Sequence, residues 1–156
     1  MIPQMDFTLM VPELVLIASG ILVLMADAFW PRSHPDHDPR SVTLGITLVG
    51  LLAAIGYIEL RLWPLEGSQT TFEGLFLVDR FALAFKVVVL FGTALCALLC
   101  DTWLKNQRLQ TGAFLALVLF ASTGMLYLVS ATDMVMLFVA LELMSIPMYC
   151  LAASLR

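Results

Sequence analysis

Charged side chains are scarce in this sequence. Asp, Glu, Lys and Arg make up 13% of its 156 residues, about half the share of an ordinary soluble domain. A chain so poor in charge is built for lipid rather than water. Its 8 Lys and Arg against 12 Asp and Glu form no block, which excludes an electrostatic footprint for nucleic acid. Cysteine is sparse as well. Cys96 and Cys100 lie one helical turn apart in an apolar run and Cys150 stands alone. They spell out neither a disulfide framework nor an iron–sulfur ligand set, and are expected to be small buried apolar residues. No Gly-rich phosphate loop occurs, so no nucleotide-binding fingerprint is present. The opening MIPQMDFTLM lacks a basic stretch and no small-residue cleavage site follows. The first apolar run is therefore expected to stay as a span rather than leave as a signal peptide.

What the sequence does have is apolar length. Hydrophobic residues make up 61% of it, and its mean hydropathy is +0.96. Five runs, near 9–30, 42–62, 77–100, 112–129 and 133–155, are each long enough to cross roughly 30 Å of hydrocarbon at about 1.5 Å per residue. The expected fold is all-α: one membrane domain over 1–156, a polytopic transmembrane helix bundle of about five spans. Polar segments separate the runs. Three prolines break 31–41, where His34, Asp36, His37 and Asp38 read as a solvated loop rather than a metal site. A second polar loop is expected over 64–74 and a third over 101–111. The connector 130–133 is tight, which makes the last two spans antiparallel neighbours; Ser130 or Thr132 would cap the fifth.

Ionisable residues inside the runs are few. Glu13, behind Pro12, and Asp27 lie near the ends of the first span and are expected at the interface, as are Trp30 and Trp63. Gly45, Gly50 and Gly56 in the second span would allow close helix approach. Lys86 lies less than two turns into the third span. It either snorkels to the interface or serves as a counter-charge inside the bundle. Arg32, Arg40, Lys105, Arg108 and Arg156 fall on one side of the bilayer and only Arg61 and Arg80 on the other. The positive-inside rule then places the N-terminus outside and the last residues of the chain in the cytoplasm.

Glu142 is the exception, an ionisable residue in the middle of the fifth run. A charge at a helix centre costs a few kcal/mol on insertion scales, about 2.5–3.5 for Asp, Lys or Arg, and such residues mark proton or ion paths by default. Helical spacing puts Val135, Phe138, Val139, Ser145, Ile146 and Tyr149 on its face, so Glu142, Ser145 and Tyr149 form a polar stripe. Pro147 takes away the N–H that the Leu143 carbonyl would accept, while Ser145 can bond back to the Leu141 carbonyl. A carboxyl beside an opened turn with hydroxyls above it has room for water. Desolvation raises its pKa and an approaching cation lowers it, which is a way to bind and release a proton. The bland reading is a neutral Glu that only holds helices together.

Residues 131–155, with Asp133, Leu137, Phe138, Glu142, Leu143, Ser145, Pro147 and Tyr149, resemble the fifth span of the N subunit of proton-pumping NADH-quinone oxidoreductase, respiratory complex I. VPELVLIASGILVLMADAF at 11–29 and LFLVDRFALAFKVVVLF at 75–91 resemble that family too, so the likeness runs through the chain in order. Related antiporter-like subunits share the Glu; Leu141 before it favours the N type. The resemblance implies the N-terminal part of a fourteen-span subunit with two inverted five-helix repeats, reaching only into the first. It implies proton translocation coupled to electron transfer from NADH to quinone in a bacterial inner membrane. Glu142 would be the proton relay, Ser145, Tyr149 and Pro147 its surroundings, and Lys86 a possible counter-charge, with the family's later-span lysines lacking here. No cofactor is expected on this chain: NADH, FMN, iron–sulfur clusters and quinone belong to the parent complex. Partners would be other membrane subunits and the bilayer, and these residues are not expected to pump alone. The alternatives are a subunit of a cation/proton antiporter or membrane-bound hydrogenase, or a structural assembly protein.

Overall fold

The structure, a computed structural model, describes residues 7–29, 39–64, 67–107 and 111–154. Among them are five helices: α1 (Val11–Phe29), α2 (Pro39–Tyr57), α3 (Arg80–Gln107), α4 (Thr111–Ser130) and α5 (Met134–Ser154). Each is long and apolar enough to cross a membrane. Local chemistry sets several boundaries. Pro39, with its fixed φ, opens α2. The Asp79 carboxylate accepts the Ala82 N–H at 2.6 Å and caps α3. α2 closes in a π-helical turn, Ile58–Leu62, with Glu59 and Arg61 exposed.

α4 is the hub, packing against α1, α2, α3 and α5. It has no Asp, Glu, Lys, Arg or His, and its small residues Gly112, Ala116, Ala121, Ser122 and Gly124 are all buried. More than half of it (56%) is enclosed, against 11% for α5. A Cβ on Gly124 would lie 2.5 Å from the Met144 backbone nitrogen, so α4 and α5 meet backbone to backbone there. Gly50 serves α1 and α2 likewise, since its Cβ would sit 2.6 Å from that of Ser19; Gly45 and Gly56, expected to act similarly, have nothing within 4 Å. Thr93 on α3 and Ser122 on α4 share a buried hydroxyl–hydroxyl hydrogen bond of 2.8 Å.

Two connections differ from expectation. The segment read as a polar loop running into the third span is a hairpin. Strand β1 (Gln69–Thr71) pairs antiparallel with β2 (Phe76–Val78) in the register Gln69↔Val78, Thr70↔Leu77, Thr71↔Phe76. Gly74 (φ +91°) and Phe72 (φ +55°) turn the chain between them. An aromatic residue in the left-handed region is strained, and the Phe72 ring rests edge-on against Phe7 at 6.0 Å. The second difference is α3, which runs on to Gln107 where a loop was expected from 101. Leu, Lys and Gln there favour helix, so the helix extends about 10 Å past its apolar stretch. The hairpin lies at one end of the bundle. Its Phe76 bridges Ala131, and nearby the Tyr57 hydroxyl donates to the Thr8 carbonyl at 3.1 Å. The starts of α1, α3 and α5 and the ends of α2 and α4 gather there.

The cysteines are not buried as expected. Cys96 and Cys150 are exposed and Cys100 partly so, because their faces of α3 and α5 turn outward. Trp30, His34, Asp36, His37, Asp38, Arg32, Arg108 and Arg156 lie outside the described residues.

Candidate functional site

Two polar centres stand out. The first was not foreseen as a unit. Lys86 Nζ lies 2.7 Å from Glu13 Oε1, and both side chains are 0% exposed. Glu13 is the third residue of α1 and Lys86 the seventh of α3, so the contact ties two helices that are not neighbours in sequence. The ammonium also lies over the Phe76 ring, 4.7 Å from its centroid. That ring, 1% exposed, meets Tyr127 of α4 edge-on at 6.1 Å. Beyond their mutual contact, neither Glu13 Oε2 nor Lys86 Nζ has a hydrogen-bond partner among the described residues. Enclosed charges without solvent depend on each other, and the loss of either leaves the other uncompensated.

The interfacial placement of Glu13 and the snorkelling of Lys86 are thereby corrected. The β1–β2 hairpin and the turn Phe7–Met10 cover this end of the bundle, so a position near a helix end is not a position near water. A signal was present in the sequence. On α1 the buried residues are Pro12, Glu13, Leu16, Ser19, Gly20 and Val23, and on α3 Ala82, Leu83, Lys86, Leu90, Thr93 and Ala97. Phe81, Phe85, Val88 and Phe91 are exposed. On α3 the aromatics mark the outward face, and Lys86 falls on the opposite side, at helical spacing from Ala82, Leu90 and Ala97.

The second centre is Glu142, the ninth residue of α5. Helical spacing groups it with Ser145 and Tyr149, and the structure turns that face outward: Glu142 is exposed, as are Val135, Phe138, Val139, Ile146 and Tyr149. Ser145 is half-buried, and its hydroxyl donates to the Leu141 carbonyl at 2.7 Å. Pro147 sits inside the helix and is buried. Lys86 is not brought to Glu142; its cation is held by Glu13. The helix cap is neither Ser130 nor Thr132. Asp133 takes the role, its Oδ2 accepting the Val135 N–H at 3.2 Å, because it directly precedes Met134 and a carboxylate suits the positive helix end. The Thr132 hydroxyl instead donates to the Gly74 carbonyl, and Ser130 is buried with no hydrogen-bond partner for its hydroxyl among the described residues.

The chain thus places a carboxyl near the middle of an apolar helix, on its outward face, and, separately, a sealed ion pair near one end of the bundle. No family model matches the chain. It is 35% identical over 161 aligned residues to NADH-quinone oxidoreductase subunit N 2 of Koribacter versatilis, covering 99% of this chain and 32% of that protein. The chain is similar in sequence to subunit N along nearly its whole length. Rhodospirillum rubrum subunit N is 36% identical over 93% of the chain and 28% of its own length. The subunit N of Desulfovibrio desulfuricans is 33% identical over 95% and 28%. The chain therefore spans about a third of the length of these relatives. Its relation to subunit N and its five apolar helices agree on a membrane location.

Proposed function

We propose that these residues form the N-terminal part of a proton-translocating membrane subunit of NADH-quinone oxidoreductase, with Glu142 as the group that takes up and releases the proton. The observation that carries this is the relation to subunit N over nearly the whole chain, together with a lone carboxyl at the middle of an apolar helix. Energy from electron transfer between NADH and quinone, released in other subunits, would drive the cycle. The resident chemistry of this chain is proton handling, with FMN, iron–sulfur clusters and quinone held elsewhere in the complex.

In this reading the outward face of α5 meets further helices of the whole subunit. There Glu142 would be enclosed, within reach of a lysine on a later span with which it could exchange a proton. Pro147 leaves the Leu143 carbonyl without its helical partner, and that carbonyl with the Tyr149 hydroxyl would anchor the waters through which the proton arrives. Ser145 is already engaged by the Leu141 carbonyl and would mainly shape the turn. The hairpin side faces outward and the end holding Arg40 and Lys105 faces the cytoplasm of a bacterial inner membrane, following the distribution of basic residues. Other membrane subunits of the complex are the partners.

The test is Glu142→Gln in the complete subunit, assembled in the complex and reconstituted in vesicles. Quinone reduction and acidification are followed together. The expected result is a loss of pumped protons per electron. Acidification equal to the parent's would overturn the assignment.

A further inference from the structure

The β1–β2 hairpin touches both polar centres' helices. On one side the Phe76 ring lies beneath the Lys86 ammonium, 4.7 Å from it, while that ammonium is 2.7 Å from Glu13. On the other side the backbone of Phe76 bridges Ala131. The Leu75 carbonyl accepts the Thr132 N–H at 3.2 Å, and the Gly74 carbonyl accepts the Thr132 hydroxyl. The next residue, Asp133, caps α5 through Val135, and its carbonyl accepts the first helical N–H, from Leu137, at 2.9 Å. An unbroken run of contacts therefore leads from α1 through α3 and the hairpin to the first turn of the helix that carries Glu142.

We propose that Glu13 and Lys86 are positioning residues for α5, acting through the hairpin as a strap, so that the charge state of the pair sets how firmly the start of α5, and with it Glu142, is held. The proposal rests on the reading of Glu142 as the proton-handling group. Its two states are chemically distinct. As an ion pair, Lys86 presents a full positive charge to the Phe76 ring, and a cation over an aromatic face in a desolvated site is strongly attracted. If the proton passes from Lys86 to Glu13, or the pair is neutralised by substitution, the ring faces a neutral amine or an alkyl chain and that attraction is gone. The hairpin then keeps its apolar contacts, the Phe76–Ala131 bridge and the bonds to Thr132, but loses its one electrostatic tie to the α1–α3 pair. A contiguous element with two arrangements is the physical requirement for coupling between separated sites.

The surroundings of Glu142 favour transmission by placement rather than by direct charge. α5 packs mainly on α4, whose sole titratable side chain among the described residues is Tyr127; α5 itself contributes Tyr149 and Cys150. Asp133 stands just before its first turn. No charged side chain on α4 buffers Glu142 against a shift of its own helix. At Gly124 and Met144 the two helices meet backbone to backbone, about half a turn from Glu142.

The test uses the complete subunit assembled in its complex and two readouts. The first is amide hydrogen exchange at Thr132. The second is the titration of the Glu142 carboxyl band by infrared difference spectroscopy, assigned by its loss in Glu142→Gln. Lys86→Met is expected to speed exchange at Thr132 by about tenfold or more and to move the Glu142 midpoint by about one pH unit. Lys86→Arg keeps the cation and is expected to leave both readouts near the parent's. Phe76→Leu keeps the ion pair whole and is expected to move both in the same sense as Lys86→Met, and it decides the matter if Lys86→Met does not assemble. Unchanged exchange at Thr132 overturns the strap. Faster exchange with an unmoved Glu142 midpoint overturns the positioning role and leaves the pair as a structural anchor. A Glu142 band that never titrates in the parent overturns the reading of Glu142 itself, and this inference with it.

Discussion

Replacing Lys86 by Met removes one half of a salt bridge whose two side chains are both fully enclosed. The remaining Glu13 carboxylate would have no hydrogen-bond partner among the described residues. It must be protonated, draw in water or force the hairpin open. Breaking one partner of a buried pair typically costs about 3–5 kcal/mol, whereas replacing both partners by apolar or neutral groups of similar size is often neutral or stabilising. Lys86→Met and Glu13→Gln are each expected to fall in that range, and the double variant to lie within about 1 kcal/mol of the parent. The coupling read from the cycle would then be several kcal/mol. An exposed pair would couple by about 0–1 kcal/mol, so the cycle separates the two cases cleanly. The assay is reversible SDS-induced unfolding in mixed micelles, followed by tryptophan fluorescence, with helix content checked by circular dichroism. Single variants within about 1 kcal/mol of the parent would refute the burial argument. A double variant as unstable as the sum of the singles would refute the mutual dependence.

Gly124→Val puts a branched side chain where a Cβ already falls 2.5 Å from the Met144 backbone nitrogen; the expected loss is about 2–3 kcal/mol from overpacking, measured by the same unfolding assay. Gly45→Ala, with open space at its Cβ, is expected to be neutral or to stabilise by up to about 1 kcal/mol, and the contrast between the two glycines is the sharper measurement. Asp133→Ala removes the α5 cap seen at Val135 and is expected to cost about 1 kcal/mol, with faster amide exchange confined to the first turn of α5. Unchanged exchange there would mean that the Thr132 bonds, not the cap, hold that turn.

The helices were legible because long apolar runs separated by polar breaks leave little choice in a bilayer. The stripe Glu142, Ser145, Tyr149 was legible for a similar reason, since it needs only helical periodicity. The hairpin was not, because its two strands are three residues each and the left-handed Phe72 lies where no turn signal would place it. The pairing of Glu13 with Lys86 was harder still. Position along a span predicts depth only if the span's end meets water, and here a folded connection closes over it. Which helices are neighbours decides which charges meet, and a single helix pattern contains no such information. The cap of α5 was misassigned between Ser130 and Thr132 because Thr132 is taken by the hairpin carbonyl of Gly74, a partner that is 58 residues away.

The Glu13–Lys86 contact also constrains how the protein is made. The two residues are separated by roughly seventy positions, and at about 5–20 residues per second a ribosome needs roughly 4–15 s to pass from one to the other. Through that interval Glu13 lacks the Lys86 ammonium that it meets in the folded bundle, so the first turn of α1 is expected to stay shallow and hydrated until α3 arrives. The arrival of Lys86 would let α1 settle to its final depth, and the hairpin, which precedes α3 in the chain, would close behind it. Membrane insertion of α1 is then expected to run in two stages, the second timed by the delivery of α3.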